Sequence, residues 1–134
     1  MRAYARELAF QLIFERLFVK ENYSDEEFFA SLKKEDDKNF VKEILACYEQ
    51  NKESVQELIS SNLVGYELNR VYKVDLALLC EAVTEIIYVK TPYKIVVNEI
   101  VELAKKFSTE KSSRFINGVL SSIIKSINAD KKEE

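Results

Sequence analysis

Basic residues recur along the amino-terminal segment at a spacing that places them on one side of a helix. At about 100° per residue, one side of a helix over residues 3–20 carries Arg2, Arg6, Arg16 and Lys20. Guanidinium and ammonium groups in a row are suited to binding phosphates, although a charged stripe is more often a solvated helix face. The net charge of −3 does not by itself indicate a nucleic-acid partner.

Residues that could carry out catalysis are scarce. Histidine is absent, which removes the commonest general base and metal ligand, and no glycine-rich phosphate loop is present. Cys47 and Cys80 stand far apart within apolar helical patterns, so we expect buried free thiols, with a disulfide as the less favoured alternative. The sequence therefore predicts no catalytic residue, metal site or cofactor. Nothing in it argues for an enzyme, although the scattered carboxylates leave an enzyme as an open alternative.

The composition favours an all-α fold. Two glycines and one proline in 134 residues are few, and β-rich folds need both residue types for their turns. We predict one helical domain over residues 1–128, followed by a charged, frayed tail over residues 129–134. Charged residues interrupt the amino terminus, and no apolar run is long enough to span a membrane. These features predict a cytoplasmic protein.

Apolar residues repeating every three to four positions predict about seven helices. The first covers residues 3–20, and Ser24 caps a short helix that ends near residue 32. The next predicted elements are residues 39–49, a helix around 55–63, with Gly65 either ending it or opening the next turn, and a short turn at 68–71. They are followed by a central helix over 74–86, a helix from Pro92 to Phe107 with Thr91 as cap, and a last helix capped by Thr109 or Ser112.

The first helix carries apolar residues on two nearly opposite sides. Leu8 and Leu12 lie on one side, whereas Phe10, Phe14 and Leu17 lie on the other. A helix on the surface of a single core needs one apolar stripe. The second stripe indicates either burial between two layers, which we favour, or a contact outside the domain.

A glycine interrupts the last helix beside a polar residue. Asn117 and Gly118 stand among apolar positions, and Asn98 stands in the interior of the preceding helix. Buried amides need hydrogen-bond partners, and a residue without a side chain allows close backbone approach. We therefore hypothesise that the last two helices approach each other at Gly118, so that Gly118→Leu would destabilise the fold strongly.

Four segments together resemble the NusB family of transcription antitermination factors. They are "ARELAFQLIF", "LNRVYKVDLALL", "TPYKIVVNEIVELAKKF" and "EKSSRFINGVLSSI", and their order and spacing match over about residues 2–127. The resemblance implies seven helices in two packed three-helix-type subdomains and no catalytic activity. It also implies binding of boxA-type RNA together with NusE, a small-subunit ribosomal protein, in support of ribosomal RNA transcription. RNA polymerase and other antitermination factors would be indirect partners, and the family contains both monomers and homodimers.

The resemblance assigns functions to individual residues. The RNA-binding positions that it implies are Arg2, Arg6, Lys111, Arg114, Phe115 and Asn117. The positions that it implies for the ribosomal-protein partner are Phe14 and Asp75. Tyr4 stands where the family often has a further basic residue, which predicts weaker phosphate binding. The resemblance leaves open whether Phe10 and Leu17 belong to the core or to an interface.

Two alternatives to an RNA-binding factor remain. The acidic charge balance and the few amino-terminal arginines are compatible with a protein-interaction module of the same fold that has little intrinsic RNA affinity. Domains of this kind also precede RNA cytosine methyltransferases, but no catalytic motif is visible in this sequence.

Overall fold

The structure, a computed structural model, describes residues 2–18, 26–65 and 67–133, with side chains described as far as residue 128. Helices dominate these ranges, which contain no strand, so the all-α prediction is confirmed. The helices are α1 (Ala3–Phe18), α2 (Glu26–Ala30), α3 (Glu35–Ser60), α4 (Lys73–Thr84), α5 (Tyr93–Phe107) and α6 (Glu110–Glu133). A 3₁₀ turn (Leu68–Arg70) precedes α4, and a π-helical turn (Glu85–Val89) follows it. The predicted cap at Ser24 lies outside the described residues.

Helix α4 is the centre of the fold. Its sequence is apolar on nearly every side, which is typical of a buried helix, and every residue from Asp75 to Thr84 is buried. It packs against α1 and α3 on one side and against α5 and α6 on the other. The two three-helix groups therefore share α4 as their common member.

Helix α3 joins two predicted helices into one kinked helix. The break expected at Asn51 is present as a non-helical residue, with φ −123° and ψ 19°. The Asn51 side chain donates a hydrogen bond to the Cys47 carbonyl at 2.9 Å. Because this amide occupies a carbonyl of the helix, the chain bends at Asn51 and continues as a helix without a loop.

The connection between α4 and α5 differs in detail from the prediction. Lys90 adopts a left-handed conformation (φ 64°) that ends the π-helical turn. Pro92 occupies the N-cap position of α5. Thr91 lies one residue further out and is therefore not the cap that we predicted. At the start of α6 the Ser112 N–H donates to Thr109 Oγ1 at 2.9 Å, so Thr109 caps this helix as predicted.

The last helix continues beyond the predicted domain end. The backbone of α6 remains helical through residues 129–133, where the sequence analysis predicts a frayed tail. Alanine, lysine and glutamate dominate this stretch and are good helix formers.

Helix α1 is buried on both of its apolar sides. Leu8 and Leu12 are fully buried, and Phe10 is 3% exposed. The Phe10 ring contacts that of Phe107 at a centroid distance of 5.4 Å. Leu17 is partly buried against the same core. The favoured prediction, burial between layers of the domain, is therefore confirmed for Phe10 and in part for Leu17.

The hypothesis of close approach at Gly118 is wrong. A Cβ atom added to Gly118 would meet no atom of another element within 4 Å among the described residues. Asn98 and Asn117 are both exposed, so water can satisfy their amides.

We accordingly expect Gly118→Ala to stabilise the fold by about 1 kcal/mol, because alanine is the better helix former. Denaturant unfolding would measure the change. Gly65→Ala is the matched control, since Gly65 has φ +90° and a side chain there is strained. A loss of stability in Gly118→Ala would restore the close-approach hypothesis.

Candidate nucleic-acid interface

Arg6 is committed to an ion pair inside the fold. Its Nε donates to Glu85 Oε2 at 2.8 Å and its Nη2 donates to Glu85 Oε1 at 2.5 Å. The residue is only 3% exposed. Such two-pronged pairing uses the guanidinium edge that a phosphate would need. The structure therefore gives Arg6 a structural role, in which it joins α1 to the end of α4, and its contact with RNA stays a prediction.

Arg16 also points into the fold. It is 7% exposed, its Nε donates to Glu49 at 2.8 Å and its Nη1 donates to the Leu12 carbonyl at 3.2 Å. The fourth member of the predicted basic row, Lys20, lies outside the described residues. The regular spacing of basic residues on α1 suggested a row that binds phosphates. For Arg6 and Arg16, the structure shows instead that these residues form ion pairs between α1 and neighbouring elements.

Arg2 remains accessible. Its guanidinium lies 4.3 Å from the centroid of the Phe40 ring, where the arginine and the ring attract each other. Both line an open cleft of about 570 Å³ that Lys90 and Thr91 also border. Arg2 can therefore contact a phosphate while it stays stacked on Phe40.

The surface beside Tyr4 is acidic. Tyr4 is 49% exposed and its hydroxyl donates to Ser31 Oγ at 3.1 Å. The adjoining depression is lined by Glu7, Glu99 and Glu102, and Lys106 offsets only part of this charge through its 2.8 Å contact with Glu7. These carboxylates repel phosphates, so this side of α1 is unfavourable for an RNA backbone.

A pocket of about 480 Å³ lies at the amino-terminal end of α4. The first residues of α6 and the segment before α4 form its walls, and the lining residues are Arg70, Val71, Tyr72, Asp75, Thr109, Lys111, Ser112 and Phe115. The pocket thus brings together the predicted RNA residues Lys111 and Phe115 with the predicted partner residue Asp75. We call it the α4–α6 pocket.

Asp75 is the unusual member of this pocket. It is 3% exposed, and its Oδ1 accepts no hydrogen bond within the part of the chain that the structure describes. A buried acceptor without a partner costs about 1–3 kcal/mol. So little of Asp75 is accessible that it adds almost nothing to a flat contact surface, and the predicted partner role requires that a donor enter the pocket.

The other predicted residues lie outside this pocket. Arg114 is exposed, and Asn117 lines an open groove of about 600 Å³ between α5 and α6, opposite Asn98. Phe14 is partly buried at the surface of α1, and its ring meets that of Phe18 edge-on at 5.1 Å.

Three residues with functional potential do not appear in the sequence prediction. Arg70 and Tyr72 line the α4–α6 pocket, and Phe18 is 60% exposed beside Phe14. Tyr72 is 74% exposed. The sequence feature that could have identified them is an aromatic or basic residue at a position that the repeating apolar pattern of the neighbouring residues does not include.

The accessible candidates fall into two regions at opposite ends of α4. Asp75 lies in its first turn, whereas Glu85, which holds Arg6 next to the Arg2 cleft, directly follows its last residue. At 1.5 Å per residue the two positions are about 15 Å apart along the helix axis. A short stretch of extended polymer can therefore reach both regions.

The cysteines offer no activated nucleophile. Both are free thiols, with Cys80 buried and Cys47 half-buried. Burial raises the pKa of the Cys80 thiol to about 12, so it is protonated near neutral pH. Across the described ranges, no helix combines the length and apolarity that crossing a bilayer requires.

The fold and these surfaces define an all-helical binding domain, built around one buried helix and carrying a cation-lined aromatic pocket. A family-wide sequence comparison matches residues 3–125 to the NusB family. The chain belongs to this family, whose members are transcription antitermination proteins.

Individual relatives agree with this assignment. The transcription antitermination protein NusB of Clostridium novyi is 39% identical over 132 residues, which cover 92% of this chain and 98% of that protein. The same protein of Finegoldia magna is 39% identical over 130 residues, covering 92% and 93% respectively.

Solved structures give the same result. A crystal structure of the antitermination factors NusB and NusE in complex with double-stranded RNA superposes with a TM-score of 0.83 at 29% identity, covering 93% of this chain and 96% of that one. The solution structure of NusB from Aquifex aeolicus gives a TM-score of 0.77 at 30% identity, covering 100% and 95%.

Proposed function

We propose that this chain binds boxA-type RNA together with the ribosomal protein NusE and so supports transcription of ribosomal RNA through terminators. It acts by binding and has no catalytic step of its own. RNA polymerase and other antitermination factors are engaged through the bound RNA and NusE. The chain works in the cytoplasm, where transcription takes place, as a monomer or a homodimer.

The observation that carries the RNA part of the proposal is the α4–α6 pocket. Lys111 and Arg70 supply cations for phosphates, and Tyr72 and Phe115 supply rings on which bases can stack. Arg2, at the other end of α4, supplies a further cation in a cleft that Lys90, Glu43 and Glu99 also line. Exposed Arg114 lies one helical turn from Lys111. Asn117 is one further turn along α6 and can donate or accept hydrogen bonds at the edge of this surface.

The NusE part rests on the aromatic pair Phe14–Phe18. Phe18 is 60% exposed, and its edge-on contact with Phe14 holds both rings in place at the surface of α1. Exposed aromatic residues of restricted mobility are typical anchors of protein–protein interfaces. Phe14 is partly buried against the core, whereas Phe18 is exposed, so the outer part of the pair is available to a partner.

A salt series tests the RNA part. RNA affinity would be measured by fluorescence anisotropy from 50 to 200 mM salt, with boxA-type RNA and a scrambled RNA, with and without NusE. We expect preference for boxA-type RNA, a gain on adding NusE, and a linear fall of log affinity with log salt that reflects phosphate contacts. Equal binding of the scrambled RNA in the presence of NusE would contradict the proposal.

Phe14→Glu tests the NusE part. We expect the gain from NusE to disappear, because a charge replaces an aromatic anchor; losses at such anchors are about 2 kcal/mol or more. Calorimetry would measure NusE binding, and RNA binding without NusE should be unchanged. Tyr93→Glu, at another exposed aromatic residue that is 42% accessible, is the control. An equal loss of NusE binding in both variants would contradict the assignment of the NusE contact to Phe14 and the surface of α1.

A protein-interaction module with little intrinsic RNA affinity is the second candidate. It is favoured by the burial of Arg6 and Arg16 and by the acidic depression next to Tyr4. This alternative predicts NusE binding without any increase in RNA affinity, so separate titrations of NusE and RNA distinguish the two candidates.

A further inference from the structure

The groove between α5 and α6 is a cationic cavity on a chain that carries a net negative charge. Its volume is about 600 Å³, and among the described residues no acidic side chain lines it. The whole chain, by contrast, has 23 acidic residues against 20 basic ones. We call this cavity the α5–α6 groove, and its polar lining residues are Lys94, Asn98, Asn117, Ser121, Lys125 and Asn128.

Both helices keep their acidic residues away from the groove. On α5, Glu99 and Glu102 line the acidic depression that faces α1, whereas Lys94 and Asn98 line the groove. On α6, the sequence contains no acidic residue between positions 111 and 128. An anion that enters the α5–α6 groove therefore meets attraction from both of its walls.

The polar side chains of the groove have no partners of their own. Lys94 and Lys125 form no ion pair, and the amides of Asn98 and Asn117 form no hydrogen bond, within the part of the chain that the structure describes. All four residues are exposed. Their ammonium and amide groups therefore keep all of their donors for a ligand.

The shape of the groove suits an extended strand. At 1.5 Å per residue, it follows α6 for about 16 Å from Asn117 to Asn128. Packed helices lie about 8–10 Å apart, so the groove between them admits one strand and not a duplex. Lysine and asparagine side chains are common partners of phosphate and sugar oxygens. Single-stranded RNA thus matches the groove in charge, in length and in hydrogen bonding.

The groove also continues from residues that the family resemblance assigns to RNA. Asn117 lines it, and Arg114 is exposed one helical turn earlier on α6. Lys125 lies about three turns beyond Arg114, and three turns of an α-helix take about 11 residues, so both cations point to the same side of α6. An RNA strand that contacts Arg114 therefore reaches Lys125 if it follows the helix.

We propose that the α5–α6 groove binds the sugar–phosphate backbone of the single-stranded RNA that flanks the boxA-type segment, with Lys94 and Lys125 each contacting a phosphate. This inference rests on the proposed function, because it concerns the same RNA. The contact does not depend on base sequence, since phosphates and riboses are the same at every nucleotide. It lengthens the RNA that one chain holds beyond the segment that is read.

The test uses the full chain with NusE and three RNAs. They are the boxA-type segment alone and the same segment extended by a short run of uridines at its 5′ end or at its 3′ end. We expect one of the two extensions to raise the affinity and to steepen the salt slope by about 1.4, because a single strand contributes about 0.7 for each phosphate contact. Fluorescence anisotropy from 50 to 200 mM salt would measure both quantities. This comparison changes only the RNA, so it does not depend on the folding of any variant.

Two matched serine variants assign the effect to the groove. Ser121→Glu places a carboxylate among the lining residues. Ser126→Glu makes the same change at an exposed position of α6 that does not line the groove. We expect Ser121→Glu to abolish the gain from the extension and Ser126→Glu to keep it. Since both positions are exposed, we expect both variants to fold, and thermal unfolding would confirm this.

A double lysine variant tests the two phosphate contacts. Lys94→Gln combined with Lys125→Gln should remove the gain from the extension and the additional salt slope of about 1.4. Lys33→Gln combined with Lys34→Gln removes two exposed lysines just before α3 and is the control for net charge. The control should keep both the gain and the additional slope.

Four outcomes would overturn the inference. The first is equal wild-type binding of the three RNAs, and the second is a gain that survives in Ser121→Glu or in the double lysine variant. The third is an equal loss in Ser121→Glu and Ser126→Glu, and the fourth is a loss of NusE binding in Ser121→Glu with the gain unchanged, which would make the groove a protein-binding surface. Each leaves the proposed function standing if the unextended boxA-type RNA still binds better with NusE. Loss of the NusE gain and of all boxA preference in the wild type would instead contradict the proposed function.

Discussion

Replacing Arg6 with methionine is expected to destabilise the fold by about 3–5 kcal/mol, which is the usual cost of removing one partner of a buried ion pair. Glu85 is completely buried and would lose both of its contacts with the guanidinium. Glu81, also completely buried one helical turn away, would lose the nearest positive charge as well. Guanidinium chloride unfolding at pH 7 would measure the change.

Two further variants make the Arg6 result interpretable. The double variant Arg6→Met with Glu85→Met should recover much of the loss, because it removes both buried charges and not only one. Lys106→Met breaks the ion pair with Glu7 at the surface, where Lys106 is 62% exposed, and should cost less than about 1 kcal/mol. If Arg6→Met kept wild-type stability but lost RNA affinity, the phosphate contact implied by the family resemblance would be correct after all.

Glu81→Gln is expected to stabilise the protein at neutral pH and to flatten the dependence of its stability on pH. Burial raises the pKa of the Glu81 carboxyl well above its usual value, and the neighbouring negative charge of Glu85 raises it further, against an opposing effect of Arg6. Neither Glu81 oxygen accepts a hydrogen bond from a donor in the described chain, and a hydrogen bond from the protonated Glu81 carboxyl to Glu85 raises the pKa of Glu81 as well. The fold therefore favours the neutral form of this side chain.

The direction of the effect follows from proton binding. Above the ordinary glutamate pKa of about 4.3, the unfolded chain releases the proton while the folded chain keeps it. The folded state then binds more protons, so stability falls as the pH rises, by at most about 1.4 kcal/mol per pH unit from this group, until the pH reaches the raised pKa. Well below the ordinary glutamate pKa of about 4.3 the group is neutral in both states and contributes no slope.

Unfolding free energies between pH 4 and pH 8 would test this expectation. Glutamine resembles neutral glutamic acid in shape, so Glu81→Gln should approach the wild type at acid pH and exceed it increasingly as the pH rises above the ordinary glutamate pKa. Glu53→Gln, an exposed position on α3, is the control and should follow the wild-type curve. Parallel curves for Glu81→Gln and wild type would show that Glu81 is ionised in the fold.

Helical periodicity predicted the elements of the fold well. The central helix, the Thr109 cap and the apolar face of α5 follow from local patterns, and these patterns survive because each helix buries the face that its own sequence makes apolar. For Phe10 the sequence favoured burial but left an interface open, since an apolar side chain does not show whether its neighbour belongs to the same chain.

The candidate site was harder to predict because its properties come from pairs of helices. The arginines of α1 looked like a phosphate-binding row, but acids on α3 and α4 face Arg16 and Arg6, and no periodicity within α1 reveals that. The pocket around Asp75 needs α6 to supply Lys111 and Phe115. The resemblance to the family pointed to these residues individually, but it could not show that they line one cavity.

The bond between Arg6 and Glu85 also sets an order of events during synthesis. Its partners are separated by 79 residues, and ribosomes add about 5–20 residues per second, so roughly 4–16 s pass between their emergence. For most of that interval α1 has been made but α4, the helix that covers it, has not. The nascent chain therefore keeps the apolar arcs of its first helix uncovered for seconds, a period in which chaperones can bind them.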